Sequence, residues 1–210
     1  KDVDLTVGAR VTVMDPVGAG SEWRIDTSLG STLGLSTELL KPLGGRGPLS
    51  RAAFLAPRAF YIRTTESLYA ESDLRAIYSR QRVGAGFDFG WIIGRATQFR
   101  IGYETAFVRN VIRVGDRFPR DQGSEQSAIA RFSYNGQDRA YFPTRGARLN
   151  AKATWRLDVP EVTRDFGALE AGGSVAFRLP RRHHVSFSAD AGLNIGGDPP
   201  TLYQFTLGGP

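Results

Sequence analysis

The chain has 210 residues, 25 of them glycine, with 11% aromatic and 23% charged residues and a formal net charge of +6. This composition excludes a disordered chain, and the length suits one all-β unit or two small domains. Cysteine is absent, which excludes disulfides and cysteine-held zinc and fits a periplasmic or outer-membrane protein.

No charged-plus-apolar leader opens the sequence, so the expectation is a mature chain or a fragment. The longest apolar runs, such as FGWIIG at 89–94, fall far short of the roughly 18 residues of a spanning helix. A helical membrane protein is excluded; a β-barrel is not, because β-spans leave a weaker trace. Of the 27 basic residues 24 are arginine. Arginine richness suits phosphate or nucleic-acid binding. These arginines, however, are spread singly along the strands rather than gathered in a patch. Paired charges on a polar face and genome base composition account for them, and no nucleic-acid partner is expected.

Alternation with period 2 runs through the chain. Leu5, Val7, Ala9, Val11 and Val13 alternate with Thr6, Gly8, Arg10, Thr12 and Met14, which predicts a first strand over Asp4–Met14. DPVGAG is a turn. Trp23, Ile25, Thr27 and Leu29 then alternate with Arg24, Asp26 and Ser28, and Leu33, Leu35, Thr37 and Leu39 with Gly34, Ser36 and Glu38. KPLGGRGP is a Gly/Pro turn. FLAPRAFYI is extended but poorly patterned, and Pro57 within it predicts an edge, bulge or kink. From Thr64 to Arg82 the sequence is charged and gives no register.

The pattern returns with Val83, Ala85, Phe87, Phe89 and Trp91 against Gly84, Gly86, Asp88 and Gly90. Phe99, Ile101, Tyr103, Thr105 and Phe107 follow, opposite Arg100, Gly102, Glu104 and Ala106. VGDRFPRDQGSEQ reads as a long polar loop. Ala128, Ala130, Phe132 and Tyr134 oppose Arg131 and Ser133. After a short turn, Ala147, Leu149, Ala151, Ala153, Trp155 and Leu157 share one face, and Arg148, Asn150, Lys152, Thr154 and Arg156 the other. Leu169, Ala171, Val175 and Phe177 oppose Glu170, Ser174 and Arg178. LPRRHH turns the chain into Val185, Phe187, Ala189, Ala191 and Leu193. Ten or eleven strands result, many about ten residues long, the length that crosses a bilayer at a tilt.

A soluble barrel or sandwich also alternates, with its apolar face inward. Three features favour the inverted arrangement. The polar face combines Arg, Glu and Asp with many Gly and Ser and almost no Lys, which suits a crowded, ion-paired lumen. Aromatics stand near strand ends (Trp23, Trp91, Trp155, Tyr134, Tyr203), as in interfacial girdles. Connections also differ in character, some short and Gly/Pro-rich, others long and charged. The expected lumen charges are Arg10, Arg24, Glu38, Asp88, Arg100, Glu104, Arg131, Arg148, Lys152, Arg156, Glu170 and Arg178.

YNGQDRAYFPTRGARL resembles the strand–turn–strand segment of the BamA/TamA superfamily of outer-membrane barrels, whose turn reads D-x-x-x-(Y/F)-F-P-T-x-G. The matching residues are Asp138, Tyr141, Phe142, Pro143, Thr144 and Gly146. FTLGGP resembles the strand end before that superfamily's long inward loop. SEWRIDTSLGSTLGLSTELLKPL followed by FLAPRAFY looks like the first half of the barrel fused to patatin-like phospholipases. The resemblance implies a sixteen-strand antiparallel transmembrane β-barrel, of which 1–210 would be a partial domain of ten or eleven strands. It implies outer-membrane lipid as surroundings and a client or fused polypeptide as partner. It also implies a weak seam at which the first strand offers its edge to a client.

Bond-making chemistry is not expected. FDFG at 87–90 matches a kinase metal-binding triplet, but strand alternation explains it. His183 and His184 are adjacent and point to opposite faces of a strand, a poor metal pair. No G-x-S-x-G elbow or phosphate-binding glycine loop occurs. Carboxylates such as Glu38, Asp88, Glu104 and Glu170 read as structural ion pairs rather than acid–base couples. The chain is therefore expected to embed a protein in the outer membrane and to support translocation, insertion or anchoring, without a cofactor and without being an enzyme. Three alternatives stand beside that: the membrane module of a patatin-like lipase, an anion-leaning diffusion pore, and a soluble β-barrel or sandwich binder.

Overall fold

The computed structural model describes residues 5–44, 51–70, 73–115, 122–139, 142–160, 164–180, 183–197 and 203, with backbone alone at 51, 66–70 and 73–76. Ten strands form one antiparallel sheet in simple sequence order. They are β1 (Thr6–Met14), β2 (Glu22–Gly30), β3 (Thr32–Leu43), β4 (Arg51–Ala70) and β5 (Asp73–Ile93), then β6 (Thr97–Gly115), β7 (Gln122–Asn135), β8 (Gly146–Asp158), β9 (Phe166–Arg178) and β10 (His184–Gly196). Each strand pairs with the next, as short connections between alternating segments dictate. β1 and β10 are the two edges of the sheet.

The faces are inverted relative to a soluble sheet. On β5, Phe87 is 47% exposed while its neighbour Asp88 is fully buried. On β6, Ile101, Tyr103 and Phe107 are exposed, whereas Glu104, Ala106, Val108 and Asn110 are buried. Interiors ordinarily take up aromatic and branched residues and leave carboxylates in water. Here the large hydrophobics line the outside and the charges lie within.

The sheet curls toward its polar face. Arg100 of β6 reaches Glu38 of β3 at 2.7 Å, although three strand steps separate them, roughly 14 Å along a flat sheet. A polar face that curves inward lets such side chains meet without lying fully extended along the sheet.

Several boundaries differ from the sequence expectation. β1 is described from Thr6, and Asp4 lies outside the described residues. β3 runs through Lys41 and Pro42 to Leu43, so the expected turn begins later. The charged stretch from Thr64 to Arg82 is the continuation of β4 and β5. These strands, with β6, are 20, 21 and 19 residues long, about twice the 9–11 of a bilayer crossing. The expected loop 114–126 is largely strand: Val114 and Gly115 end β6, and Gln122 to Gln126 begin β7.

Pro57 is no edge residue, for β4 is paired on both sides. Instead the β3–β4 ladder skips Leu39 and Leu40 opposite Ala56 and Pro57, and resumes in the same register at Lys41–Leu55. A residue without an N–H cannot complete both ladders. Beside the gap, Leu40, Phe54 and Ala56 form a small apolar cluster on the inward face, with Ile92 packed against it.

Candidate functional site

The inward face of β5 is nearly bare, reading Gly84, Gly86, Asp88, Gly90. That lane lets side chains of β4 lie flat across β5 and touch β6. Arg58 is paired with Gly86, and Gly86 with Glu104. The guanidinium crosses the glycine, donating from Nη2 to Glu104 at 3.0 Å and from Nη1 to Asp88 at 2.5 Å. A Cβ at Gly86 would stand 3.0 Å from the guanidinium nitrogens. Gly102 does the same for Asp88: a Cβ there would meet the carboxylate at 1.8 Å.

These crossings build a continuous network. Asp88 accepts from Arg58 and, at 2.9 Å, from Arg131 Nη1, with Arg100 at 3.7 Å. Arg100 bonds Glu38, which faces Arg24 at 3.9 Å; Arg24 in turn binds Glu22 at 2.5 Å. From Glu104 the chain runs through Arg82 Nη2, at 3.0 Å from both Glu104 and Glu125. Glu125, 1% exposed, also accepts from Arg156 Nη1 at 2.7 Å and from the Tyr203 hydroxyl at 3.1 Å, with Arg80 at 3.6 Å. Ion pairs thus connect β2 to β8 without a break.

Inward aromatics support the cations. Arg100 stands 5.1 Å from the Phe54 ring centre, Arg82 5.5 Å from Phe60 and Arg156 5.7 Å from Phe166. A guanidinium over a ring face is attracted by its quadrupole, which offsets part of the cost of taking it out of water. Buried ion pairs contribute little net stability, but removing one partner strands the other and costs about 3–5 kcal/mol. The network therefore fixes the shape of the wall more than it adds to its free energy.

Of the charges expected from sequence, Arg24, Glu38, Asp88, Arg100, Glu104, Arg131 and Arg156 come together here. Arg10 is separate, held by Asp26 at 2.5 Å in an exposed pair on β1 and β2. Lys152 and Glu170 pair at 3.2 Å, both partly exposed. They line a groove of about 850 Å³ together with Arg100, Arg131, Asn150 and Asp190. Arg148 and Arg178 share the polar face but are exposed, and they belong to no ion pair among the described residues.

Five members were not anticipated, among them Glu22, which precedes the alternation read from Trp23. Arg58 was masked by the irregularity around Pro57. Arg80 and Arg82 lie in the stretch without register, although counting back by twos from Asp88 through Gly84 reaches both. Glu125 fell in the expected loop; the same count from Arg131 back through Ser127 finds it. Tyr203 was expected in an outward girdle, and this is corrected: it lies within, against Glu125, Arg80 and Arg156. Trp23, Trp91, Trp155 and Tyr134 do face outward and are exposed. Trp23, Trp91 and Tyr134 stand near the ends of β2, β5 and β7 that share one rim.

The β7–β8 turn is built around Asp138. Its carboxylate accepts from the Thr144 hydroxyl at 2.6 Å and from the Thr144 and Arg145 amides at 2.9 and 3.1 Å. The Thr144 hydroxyl foremost, then the Arg145 amide, hold this carboxyl down at about 2. Gly146 has φ +108°, and a Cβ there would lie 2.2 Å from the Gly136 carbonyl oxygen. Asp138, Thr144 and Gly146 of the sequence motif thus have direct geometric roles. Phe142 is exposed and Pro143 half-buried, while Tyr141 lies outside the described residues.

Among the described residues, no group of three or more His, Asp or Glu is placed to hold a metal. No helix is long and apolar enough to cross a membrane, which says nothing about crossing by strands. What the arrangement offers is a rigid, charged, concave wall with an apolar exterior.

A model of the Omp85 superfamily domain matches residues 9–210. The chain belongs to the Omp85 superfamily. Among solved structures this Omp85 chain is similar to a crystal structure of BamA from Haemophilus ducreyi lacking POTRA domains 1–3. The TM-score is 0.70 at 18% identity, covering 97% of this chain and 41% of that one. At that identity the likeness concerns the fold: ten antiparallel strands corresponding to part of a BamA-like barrel. The chain spans 41% of the length of that BamA chain. A search of curated proteins finds no match.

Proposed function

We propose that this Omp85 chain forms part of an outer-membrane β-barrel that embeds its protein in the bilayer and supports insertion or translocation of a client or attached polypeptide. The observation that carries the reading is the inverted wall: exposed Phe87, Ile101 and Phe107 outside, buried Asp88, Glu104 and Glu125 inside. An apolar exterior is at home in lipid, whereas in water so large a patch would associate. The outer backbone groups of β1 and β10 need partners in hydrocarbon, and further strands closing a barrel, sixteen by the resemblance, supply them.

The inward face speaks against an open diffusion pore. Phe54, Phe60, Tyr78 and Phe166 are buried among the arginines, so the level of the network is crowded rather than a water channel. A soluble binder has no use for the exposed apolar face. In the patatin-like reading the barrel keeps the same role, and a hydrolase upstream is the attached polypeptide.

Reconstitution tests the proposal. Lipid vesicles carrying the full-length protein receive a urea-denatured outer-membrane β-barrel substrate, and protease-protected folded product is followed over time. The reading predicts faster folding than in empty vesicles and small, erratic currents in planar bilayers. Folding no faster than in empty vesicles, with steady conductance, would contradict it in favour of the pore.

A further inference from the structure

The surroundings of Tyr203 are more specific than general packing requires. Two guanidiniums, Arg80 from β5 and Arg156 from β8, each stand 4.5 Å from the centre of its ring. Phe166 from β9 meets the ring edge-on, with centroids 5.6 Å apart and an interplanar angle of 72°. The hydroxyl ends at Glu125 of β7, which is 1% exposed. Four strands therefore converge on one side chain.

The chemistry selects a phenol. Two guanidiniums brought this close repel each other, and an aromatic ring offers both of them the negative face of its quadrupole. A buried carboxylate needs donors on its free lone pairs, and a phenolic O–H at the ring's far end supplies one. Leucine offers neither feature, phenylalanine only the first, and lysine would add a third positive charge. We infer that Arg80, Glu125, Arg156 and Phe166 form a phenol socket on the inward face, through which the segment following β10 is anchored inside the barrel by Tyr203. The anchor is a stay, not a catalytic element. It ties residue 203, which follows β10 in the chain, to side chains of β5, β7, β8 and β9.

The socket can be emptied and refilled independently of the segment. Tyr203→Ala in the full-length protein, held in lipid vesicles, leaves a cavity shaped for a free phenol. The expected result is a lower thermal midpoint, recovered by p-cresol and not by toluene, which lacks the hydroxyl for Glu125. Chymotryptic cleavage in the segment around residue 203 rises in the variant and stays high when p-cresol is added, because the small molecule fills the socket without restoring the tether. Wild-type protein responds to neither compound. Tyr203→Phe guards against a variant that fails to fold: it keeps the ring between the cations and loses only the hydroxyl. Its cleavage rate rises roughly tenfold, the scale of one lost hydrogen bond to a charged acceptor. Unchanged cleavage in Tyr203→Phe, or equal rescue of Tyr203→Ala by toluene and p-cresol, overturns the socket. Neither result bears on insertion of a client, so failure here leaves the proposed function standing.

Discussion

β6 and the two edge strands follow the same sequence rule to different ends. All are written in alternating apolar and polar residues. Along β6 the outcome alternates sharply, exposed outside and buried inside, from Ile101 to Asn110. β1 is exposed at every position and β10 at all but Ile195–Gly196's neighbour Asn194, on both faces. The sequence pattern assigns a residue to a face, but it does not bury it. Burial on the polar face comes from side chains reaching over from strands two or three places away, as Arg58 does over Gly86. At the edges nothing reaches over from the far side, so Arg10 and Asp190 stay open to a neighbour. The middle of the sheet buries its charges against one another; the flanks leave theirs exposed.

The largest expected effect strikes the middle. Asp88→Ala leaves Arg58, Arg100 and Arg131 facing one another without their shared carboxylate, and should destabilise by about 3–5 kcal/mol, read from urea unfolding in vesicles. Asp26→Ala, which breaks the exposed Arg10 pair, should cost only about 0–1 kcal/mol. A cost for Asp26→Ala near that of Asp88→Ala would mean that a further strand covers the β1 pair in the complete protein.

Next comes the outer face. Ile101→Arg should cost about 2–4 kcal/mol if the residue sits near the bilayer midplane, against less than about 0.5 kcal/mol for an exposed site in water. The same vesicle unfolding measures it.

Glycines give a finer contrast. Gly102→Ala pushes a methyl into the Asp88 carboxylate and should cost about 1–3 kcal/mol. Gly8→Ala on β1 meets nothing nearer than the Thr27 carbonyl oxygen at 3.6 Å, and should change stability by less than about 0.5 kcal/mol. Equal effects would erase the distinction between the crowded lane and the open flank.

The smallest effect concerns the β7–β8 turn. Asp138 has its carboxyl held at about 2 in the folded turn, below the ordinary value of 3.8. A depressed acid lends its support fully above its unfolded value and loses it as pH falls through the folded one. Asp138 should therefore leave the turn intact at pH 4 and release Thr144 and Arg145 as pH falls toward 2. The carboxyl-carbon shift of Asp138, followed by NMR in detergent micelles, should titrate with a midpoint near 2; a midpoint near 3.8 would refute the three hydrogen bonds.

The fold was legible because lipid and lumen demand opposite residues at successive positions, so period 2 survives wherever a strand crosses. It became illegible where that demand lapses. Over 64–82 charged and polar residues fall at both odd and even positions, and the stretch gave no register. Around Pro57 a local backbone constraint overrode the pattern. The charged residues of the network were readable as a class, since parity alone places Asp88, Glu104 and Arg131 together. Their partners were not, because Arg58 reaches Glu104 across Gly86, and Arg82 reaches Glu125 across the strand that carries Ala106 and Val108, crossings that only the register reveals. Tyr203 was misplaced outward because a terminal aromatic looks alike whether it faces a lipid headgroup or a guanidinium.

The central claim is the inversion of the wall, and β6 tests it most directly. The chain has no native cysteine, so single cysteines placed from Phe99 to Val108 can each carry a nitroxide in vesicles. The account predicts that collisions with oxygen dissolved in lipid peak at Ile101, Tyr103, Thr105 and Phe107, with minima at Gly102, Glu104 and Ala106. A water-soluble relaxant reaching the odd positions best, with oxygen favouring the even ones, would contradict it and return β6 to a soluble sheet.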